Sequence, residues 1–366
     1  VTEAERAALW RSLGATAEQT HELLAYAASE FELARAPAQF PLPDEPFVAA
    51  WAGYVAEAAR VGAWPCLRDR LIQLRFPIAP GISETPDYRA ATRRGVWPDA
   101  HGLALARPDA LRVFLVATPV GQVPVILAAA REDFVALIRA LVHRNEPRPI
   151  PDAVGAMIIG GYNNWDRVAA LRRPGESAAE WTARWPEIVA EPARYQDRFI
   201  VLGSGPYSDA AAADVGLDDA AWTEISIAIR LEHECTHYFT RRALGSMRNR
   251  IADELIADYM GIVAGAGRFR ADWLLRFLGL ERHPDYRPGG RLETYRGDLA
   301  LDGGAFRILC AAIARCAHNL EAIDRLRPPP SDPAGKAATI LALAALGLEG
   351  LAGDAAVARY EAARRS

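Results

Sequence analysis

Two short patterns, separated by one turn, constrain this chain more than anything else in it. They are Leu231-Glu232-His233-Glu234-Cys235-Thr236-His237-Tyr238-Phe239 and Asp253-Glu254-Leu255-Ile256-Ala257-Asp258. Histidines at i and i+4 share one face of a helix, with β-carbons about 5–6 Å apart. His233 and His237 can therefore reach a single ion. Glu234 projects about 100° round the same helix from His233, which stands it beside such an ion and not on it. With His233 as the zero of a helical wheel, Ile225, Ile227, Ala228, Leu231, Cys235, Tyr238 and Phe239 fill the opposite arc. Ser226, Arg230, His237 and Thr240 fall on the histidine side. Such a helix buries one stripe and turns the other towards a polar cleft. Thr223 and Glu224 mark its start and Gly245 its stop. Glu232 lies inside the apolar arc and requires a partner there.

Between His237 and Glu254 there is room for the first helix to end, turn at Gly245 and return as a second helix. On that helix Glu254 and Asp258 are again i and i+4. A catalytic zinc commonly takes three protein ligands and leaves its fourth position to water. Glu254 reads as the third ligand, and Asp258 as the acceptor that fixes the tautomer of one ligand histidine.

These residues carry a resemblance. His-Glu-Cys-Thr-His-Tyr-Phe-Thr followed by Asp-Glu-Leu-Ile-Ala-Asp-Tyr-Met-Gly resembles the paired helices of the gluzincins, the thermolysin-like zinc metallopeptidases, over about residues 223–265. The resemblance implies a zincin-like core in which His233, His237 and Glu254 bind Zn2+. It also implies that Glu234 is the general base and Asp258 orients a ligand histidine. Glu232 stands where peptidases usually carry an uncharged residue, and the segment between the motifs is a few residues shorter than in thermolysin. The family's transition-state tyrosine and histidine find no aligned counterpart. His283, Tyr295 and His318 are the candidates for that donor.

With 366 residues, 51% of them hydrophobic, the chain can bury a sizeable core without staples. A net charge of −4 gives no electrostatic reason to expect nucleic acid or an anionic membrane as partner. Basic residues are arginines throughout, apart from Lys336. Four scattered cysteines make no disulfide framework and read as small buried hydrophobes. The opening residues are charged and helical, and no apolar run reaches membrane-spanning length without a charge. A cytoplasmic location is the expectation.

In chain order, helices are expected at 3–13, 16–34 and 47–62, with a further piece near 67–71, interrupted by Pro37, Pro41, Pro43 and Pro46. Leu71–Phe76 alternates like a strand, and Pro77–Gly102 reads as loop. Strands at 111–118 and 122–128 flank a hairpin signal, Pro119-Val120-Gly121. A helix at 131–143, a strand at 153–161, a helix near 178–190 and a strand at 198–203 follow. Tyr162, Asn163 and Asn164, just after two glycines, offer either amides for a peptide-like substrate or a helix cap. Helices are expected again at 271–280 and 305–326, on either side of a long loop at 282–304 rich in Pro, Gly, Tyr and Arg that offers His283 and Tyr295, and two more after the proline-rich linker at 327–333. His21 and His101 show no ligand context. The fold class is α+β, mostly helical, with a small sheet before the metal helix. The expected division is an N-terminal helical region at 1–104 and a zincin-like catalytic domain at 105–366 with a helical C-terminal part.

Three functions are compatible with these residues. One is a zinc-dependent hydrolase of amide or peptide bonds. Another is a zincin-fold enzyme acting on a small amide-containing metabolite. The last is a non-catalytic zinc-stabilised binding protein, which requires a closing fourth ligand such as Cys235 or Asp253.

Overall fold

The computed structural model describes residues 1–99, 102–247, 250–296 and 301–365. His101 and part of the loop expected at 282–304 lie outside them. The chain divides into two compact units, Val1–Leu42 with Pro206–Ser366, and Pro43–Gly205. This differs from the division expected at residue 104. The first two helices, α1 (Glu3–Ser12) and α2 (Ala17–Tyr26), belong with the C-terminal helices instead of with the next sixty or so residues. Long-range pairing explains it: Arg6 and Trp10 both donate to Glu349, and the Tyr26 hydroxyl donates to the Tyr295 carbonyl at 2.8 Å. Both helices open on full capping boxes, Thr2 with Glu5 and Thr16 with Gln19, which satisfy the otherwise unpaired first N–H groups.

The unit Pro43–Gly205 holds α3 (Val48–Val61), α4 (Ala63–Arg70) and α5 (Pro86–Arg94). Next come β1 (Arg112–Thr118), β2 (Gly121–Ala128) and α6 (Arg131–Leu141), then β3 (Ala156–Asn163), α7 (Trp165–Ala170), α8 (Ala178–Val189) and β4 (Gln196–Gly203). The sheet is mixed, in the order β1-β2-β4-β3: β2 runs parallel to β4, and the other two pairings are antiparallel. β3 takes a bulge at Gly160/Tyr162, where Gly161 adopts φ +71°. Trp51, Ile126, Phe134, Leu137, Ile138, Phe199 and Val201 make the core between sheet and helices.

Two local expectations fail here. Leu71–Phe76 holds a 3-10 turn, Ile72–Arg75, and not a strand. Leu71, Ile72, Leu74 and Phe76 are all buried, so the run reflects burial on every side and not a pleat with one wet face. Pro77–Gly102, expected as loop, contains α5, with Thr85 as its cap, Pro86 at its first position and Gly95 in the left-handed conformation at its end.

The unit Val1–Leu42 with Pro206–Ser366 is helical. After α1 and α2 it contains α9 (Asp219–Leu244), α10 (Arg250–Ala266), α11 (Ala271–Leu278), α12 (Gly303–Leu326), α13 (Pro333–Ala352) and α14 (Ala356–Ala363). α13 is apolar and long enough to cross a membrane by composition, and 61% of its apolar window is buried in protein, as in a core helix. All four cysteines are free and buried. Altogether the chain is mostly helical α+β.

Among the described residues, the pairing of α9 with α10 is the most extensive helix contact. α9 begins earlier than expected, at the Asp218 cap, and stops at Gly245, φ +79°. Its partner comes unusually near because α10 presents Gly261 and Gly265. A β-carbon at Gly261 would stand 2.7 Å from the Ile229 carbonyl oxygen, and one at Gly265 would stand 2.7 Å from the Ile229 side chain. Gly261→Ala should therefore push the helices apart. The expected cost is about 1–3 kcal/mol, read as a lower urea midpoint, and an unchanged midpoint would show that the helices are not held at this distance by the glycine.

Candidate metal centre

The helical spacing read from the sequence places both imidazoles on the α9 face that meets α10. His233 Nε2 and His237 Nε2 lie 3.0 Å apart. The Glu254 carboxylate, from α10, faces both: Oε2 is 3.5 Å from His233 Nε2, and Oε1 is 3.4 Å from His237 Nε2. Around an ion with ligand bonds near 2.1 Å, tetrahedral donors stand about 3.4 Å from one another. The triangle has that size. His233, His237 and Glu254 form a group that could hold a metal ion, and among the described residues it has these three members.

The far sides of the rings decide which nitrogens are available. His233 Nδ1 lies 3.0 Å from Asp258 Oδ1, and His237 Nδ1 lies 3.1 Å from Asp253 Oδ2. Each carboxylate accepts an Nδ1–H, so each Nε2 is left as a bare lone pair aimed at the other and at Glu254. Three facing lone-pair donors repel unless a cation or a proton lies among them. Without a metal, protons have to fill that role. Burial opposes protonation of both imidazoles, yet the carboxylates outweigh it. Asp253 and Glu254 hold His237 well above the ordinary histidine range, and Asp258 and Glu254 raise His233. Burial likewise works against a charged Glu254, but His237 and His233 hold its carboxyl well below the usual range. A divalent ion supplies this positive charge without protonating its own ligands, which is the sense in which the residues fit one.

Asp258 is itself fixed. It is fully buried, accepts from the Tyr207 hydroxyl at 2.6 Å, and pairs with the Arg291 guanidinium, which also donates to Tyr207 Oη at 3.0 Å. Asp253, Tyr207 and Arg291 complete the support of the histidines, a role that no local pattern in the sequence indicates. Asp253, a candidate closing ligand by sequence, instead offers its Oδ2 to His237. Cys235 is buried outside the group.

Glu234 is partly buried and makes no hydrogen bond to a described residue. Burial, reinforced by Glu254 and opposed by the two histidines, lifts its carboxyl above the usual range. Its apolar-arc neighbour Glu232 finds its partner in Lys336 of α13, the single lysine of the chain, at 2.7 Å. Tyr295 does reach the group: its hydroxyl donates to Glu254 Oε2 at 2.8 Å. Burial holds this phenol well above the ordinary tyrosine range, so it remains a donor. His283 is exposed in a turn and His318 is exposed on α12, and neither shares a hydrogen bond with the group.

Tyr162, Asn163 and Asn164 are placed in the other unit. Tyr162 is buried and donates to Gln73. Asn164 caps α7, accepting from the N–H groups of Asp166 and Arg167, and spends its amide on Asp197 at 2.7 Å and Tyr54 at 3.1 Å. Asn163 is exposed and accepts from Gln196. The helix-cap reading holds for Asn164, whose polar atoms are all engaged.

The chain belongs to DUF7005, a family of unknown function whose profile matches residues 8–355. No curated protein and no solved structure matches it.

Proposed function

We propose that this member of a family without an assigned function is a zinc-dependent hydrolase that cleaves an amide or peptide bond. In this reading α9 and α10 are the paired metal helices of a zincin-like core. One observation carries it: two imidazole Nε2 atoms converge with a carboxylate while separate carboxylates hold both Nδ1 atoms, and an unbonded glutamate follows the first histidine. Two nitrogens and one oxygen at tetrahedral spacing suit zinc better than calcium or magnesium.

A zinc ion held by His233, His237 and Glu254 supplies a Lewis acid that brings the pKa of water towards about 7. The rest is the work of the chain. Glu234 takes the proton as water attacks the carbonyl carbon, and passes it to the leaving nitrogen. Its raised pKa suits both transfers. Asp258 and Asp253 keep the imidazoles in one tautomer. Tyr295 holds one oxygen of Glu254, so its hydroxyl lies within the same site as a donor.

Elemental analysis of protein purified without a chelating resin tests the foundation. About one zinc per chain is expected in the native protein, and none in His233→Ala. Equal metal content in the two would overturn the assignment.

An extended peptide and a small amide-containing metabolite are the two substrate classes that this chemistry serves. Screening a peptide library against a panel of small amides separates the two substrate classes. The non-catalytic alternative needs a fourth protein donor, and among the described residues neither Cys235 nor Asp253 belongs to the group of His233, His237 and Glu254.

A further inference from the structure

The unit Pro43–Gly205 contains a second, smaller core in which tryptophan is concentrated. Trp97, Trp165, Trp181 and Trp185 pack around Ile72, Phe76 and Tyr88. Trp165 is fixed from two directions. Its indole N–H donates to the Thr92 carbonyl at 3.1 Å, and Gly95 passes so near that a β-carbon there would stand 2.4 Å from the ring. Trp185 lies within 10° of parallel to Trp165, with centroids 6.0 Å apart, and Trp181 tilts against Trp185 at 5.7 Å. Arg172 and Arg184 stand over the Trp181 ring at 4.9 and 5.3 Å. Arg184 is held in turn by two bonds to Glu176, of 2.8 and 3.0 Å. The rings are thus set in place, yet Trp181 and Trp185 remain partly exposed.

Trp165, Trp181 and Trp185 line a cleft of about 200 Å3 together with Thr182, Arg93 and Arg94. No carboxylate is among these lining residues. Arg93 and Arg94 are exposed and form no hydrogen bond or ion pair with any described residue. On the same helix, Arg89 is paired with Glu84. Two basic residues in the last turn of α5 suit its dipole, but the dipole does not explain why preset indole faces stand beside them.

The chemistry of the lining narrows the occupant. Tryptophan faces accept a flat ring by stacking. They also attract cations, but two uncompensated guanidinium groups at the rim repel a cation. A neutral ring would leave both arginines unused. Guanidinium forks match phosphate and carboxylate oxygens. We propose that this cleft binds a small molecule in which a flat aromatic ring carries a phosphate or a carboxylate. The ring would lie against the parts of Trp185 and Trp181 that remain exposed beyond their contacts with Trp165, Arg172 and Arg184, and the anionic group would meet Arg93 and Arg94. The volume suits one ring system with its anionic group, below the range of about 300–1,000 Å3 usual for larger ligands.

Isothermal titration calorimetry on the full chain tests this with five probes: adenosine 5′-monophosphate, 2-naphthoate, adenosine, 2-naphthamide and 2-naphthylmethylamine. At least one anionic probe should bind saturably below 1 mM. Its neutral counterpart should bind at least tenfold more weakly, and the amine not at all. Which anion binds tells phosphate from carboxylate. Arg93→Ala/Arg94→Ala should weaken the anion at least tenfold with an unchanged circular dichroism spectrum, both side chains being exposed. Trp185→Leu should weaken it as well, and a refolding check on that variant guards against simple disruption. Failure of both anions to bind at 1 mM would overturn the proposal. So would equal affinity for neutral and anionic probes, or a double arginine variant that binds like the native protein.

Discussion

Under the proposed function, Glu234→Gln should bind zinc as the native protein does and lose turnover by about 10²–10⁴-fold, the usual contribution of a positioned acid–base group. The substitution keeps the shape of the side chain on α9 and removes its capacity to hold a proton. No hydrogen bond to a described residue is broken by it. The fold and the triangle of His233, His237 and Glu254 should therefore persist. The measurement pairs metal content with rates, from one preparation, on the amide substrate that the screens identify. A Glu234→Gln protein of native activity, free of wild-type contamination, would remove Glu234 as the base. Loss of metal together with activity would show that Glu234 supports the centre in some way other than proton transfer.

The second large effect is expected at Asp258, and there it is chiefly one of stability. Arg291 is only 17% exposed and Asp258 not at all. Deleting the carboxylate leaves a mostly buried guanidinium facing a tyrosine hydroxyl. Removing one partner of a buried ion pair costs about 3–5 kcal/mol, and losing the acceptor of a ligand histidine lowers metal affinity about 10–100-fold. Asp258→Ala should show both losses. Asp253→Ala should show the affinity loss with much less unfolding, since among the described residues Asp253 has no cationic side chain paired with it other than His237. Asp258→Ala/Arg291→Met should recover most of the stability, by removing the stranded charge, and none of the metal affinity. Denaturant midpoints and competitive zinc titrations on the three variants decide the matter. Equal stability of Asp258→Ala and the native protein would show that the pair is solvated and not structural.

The contrast between these residues shows what was legible in the sequence. His233, His237, Glu254 and Asp258 were visible because a helix imposes a fixed geometry on residues four apart, and both helices advertise themselves by an apolar stripe. Glu232 was visible as a problem, a charge in the wrong arc, but its solution lay in Lys336 of α13, over a hundred positions away, with nothing local to indicate it. Tyr207 and Arg291 sit in 3-10 turns that have no period to read. Tyr295 shares the Arg291 turn and was singled out only because tyrosines in long loops are often functional.

The same limit governs the fold. The hairpin of β1 and β2 was legible from its own turn, and most helices from their caps and periodicity. β4 was legible as a strand but not as an interior one, because strand order depends on partners elsewhere in the chain. Leu71–Phe76 reads as a strand because over six residues a buried 3-10 turn with half-buried Gln73 and Arg75 gives the same alternation. The caps of α5 were present in Thr85-Pro86 and Gly95, and the surrounding prolines and glycines masked them. The membership of α1 and α2 rested on Arg6, Trp10 and Tyr26 reaching residues hundreds of positions later, which no local pattern reports.

The pairing of Lys336 with Glu232 has a practical consequence. Because the chain has one lysine, any reagent that acylates side-chain amines has one side chain to modify, and that side chain is 25% exposed. The adduct would be neutral, and would strip Glu232 of its cation one residue before a candidate ligand histidine. Labelling, immobilisation or cross-linking through lysine would therefore perturb α9, which carries the candidate ligands, while thiol chemistry at a cysteine introduced on an exposed helix face would leave it alone.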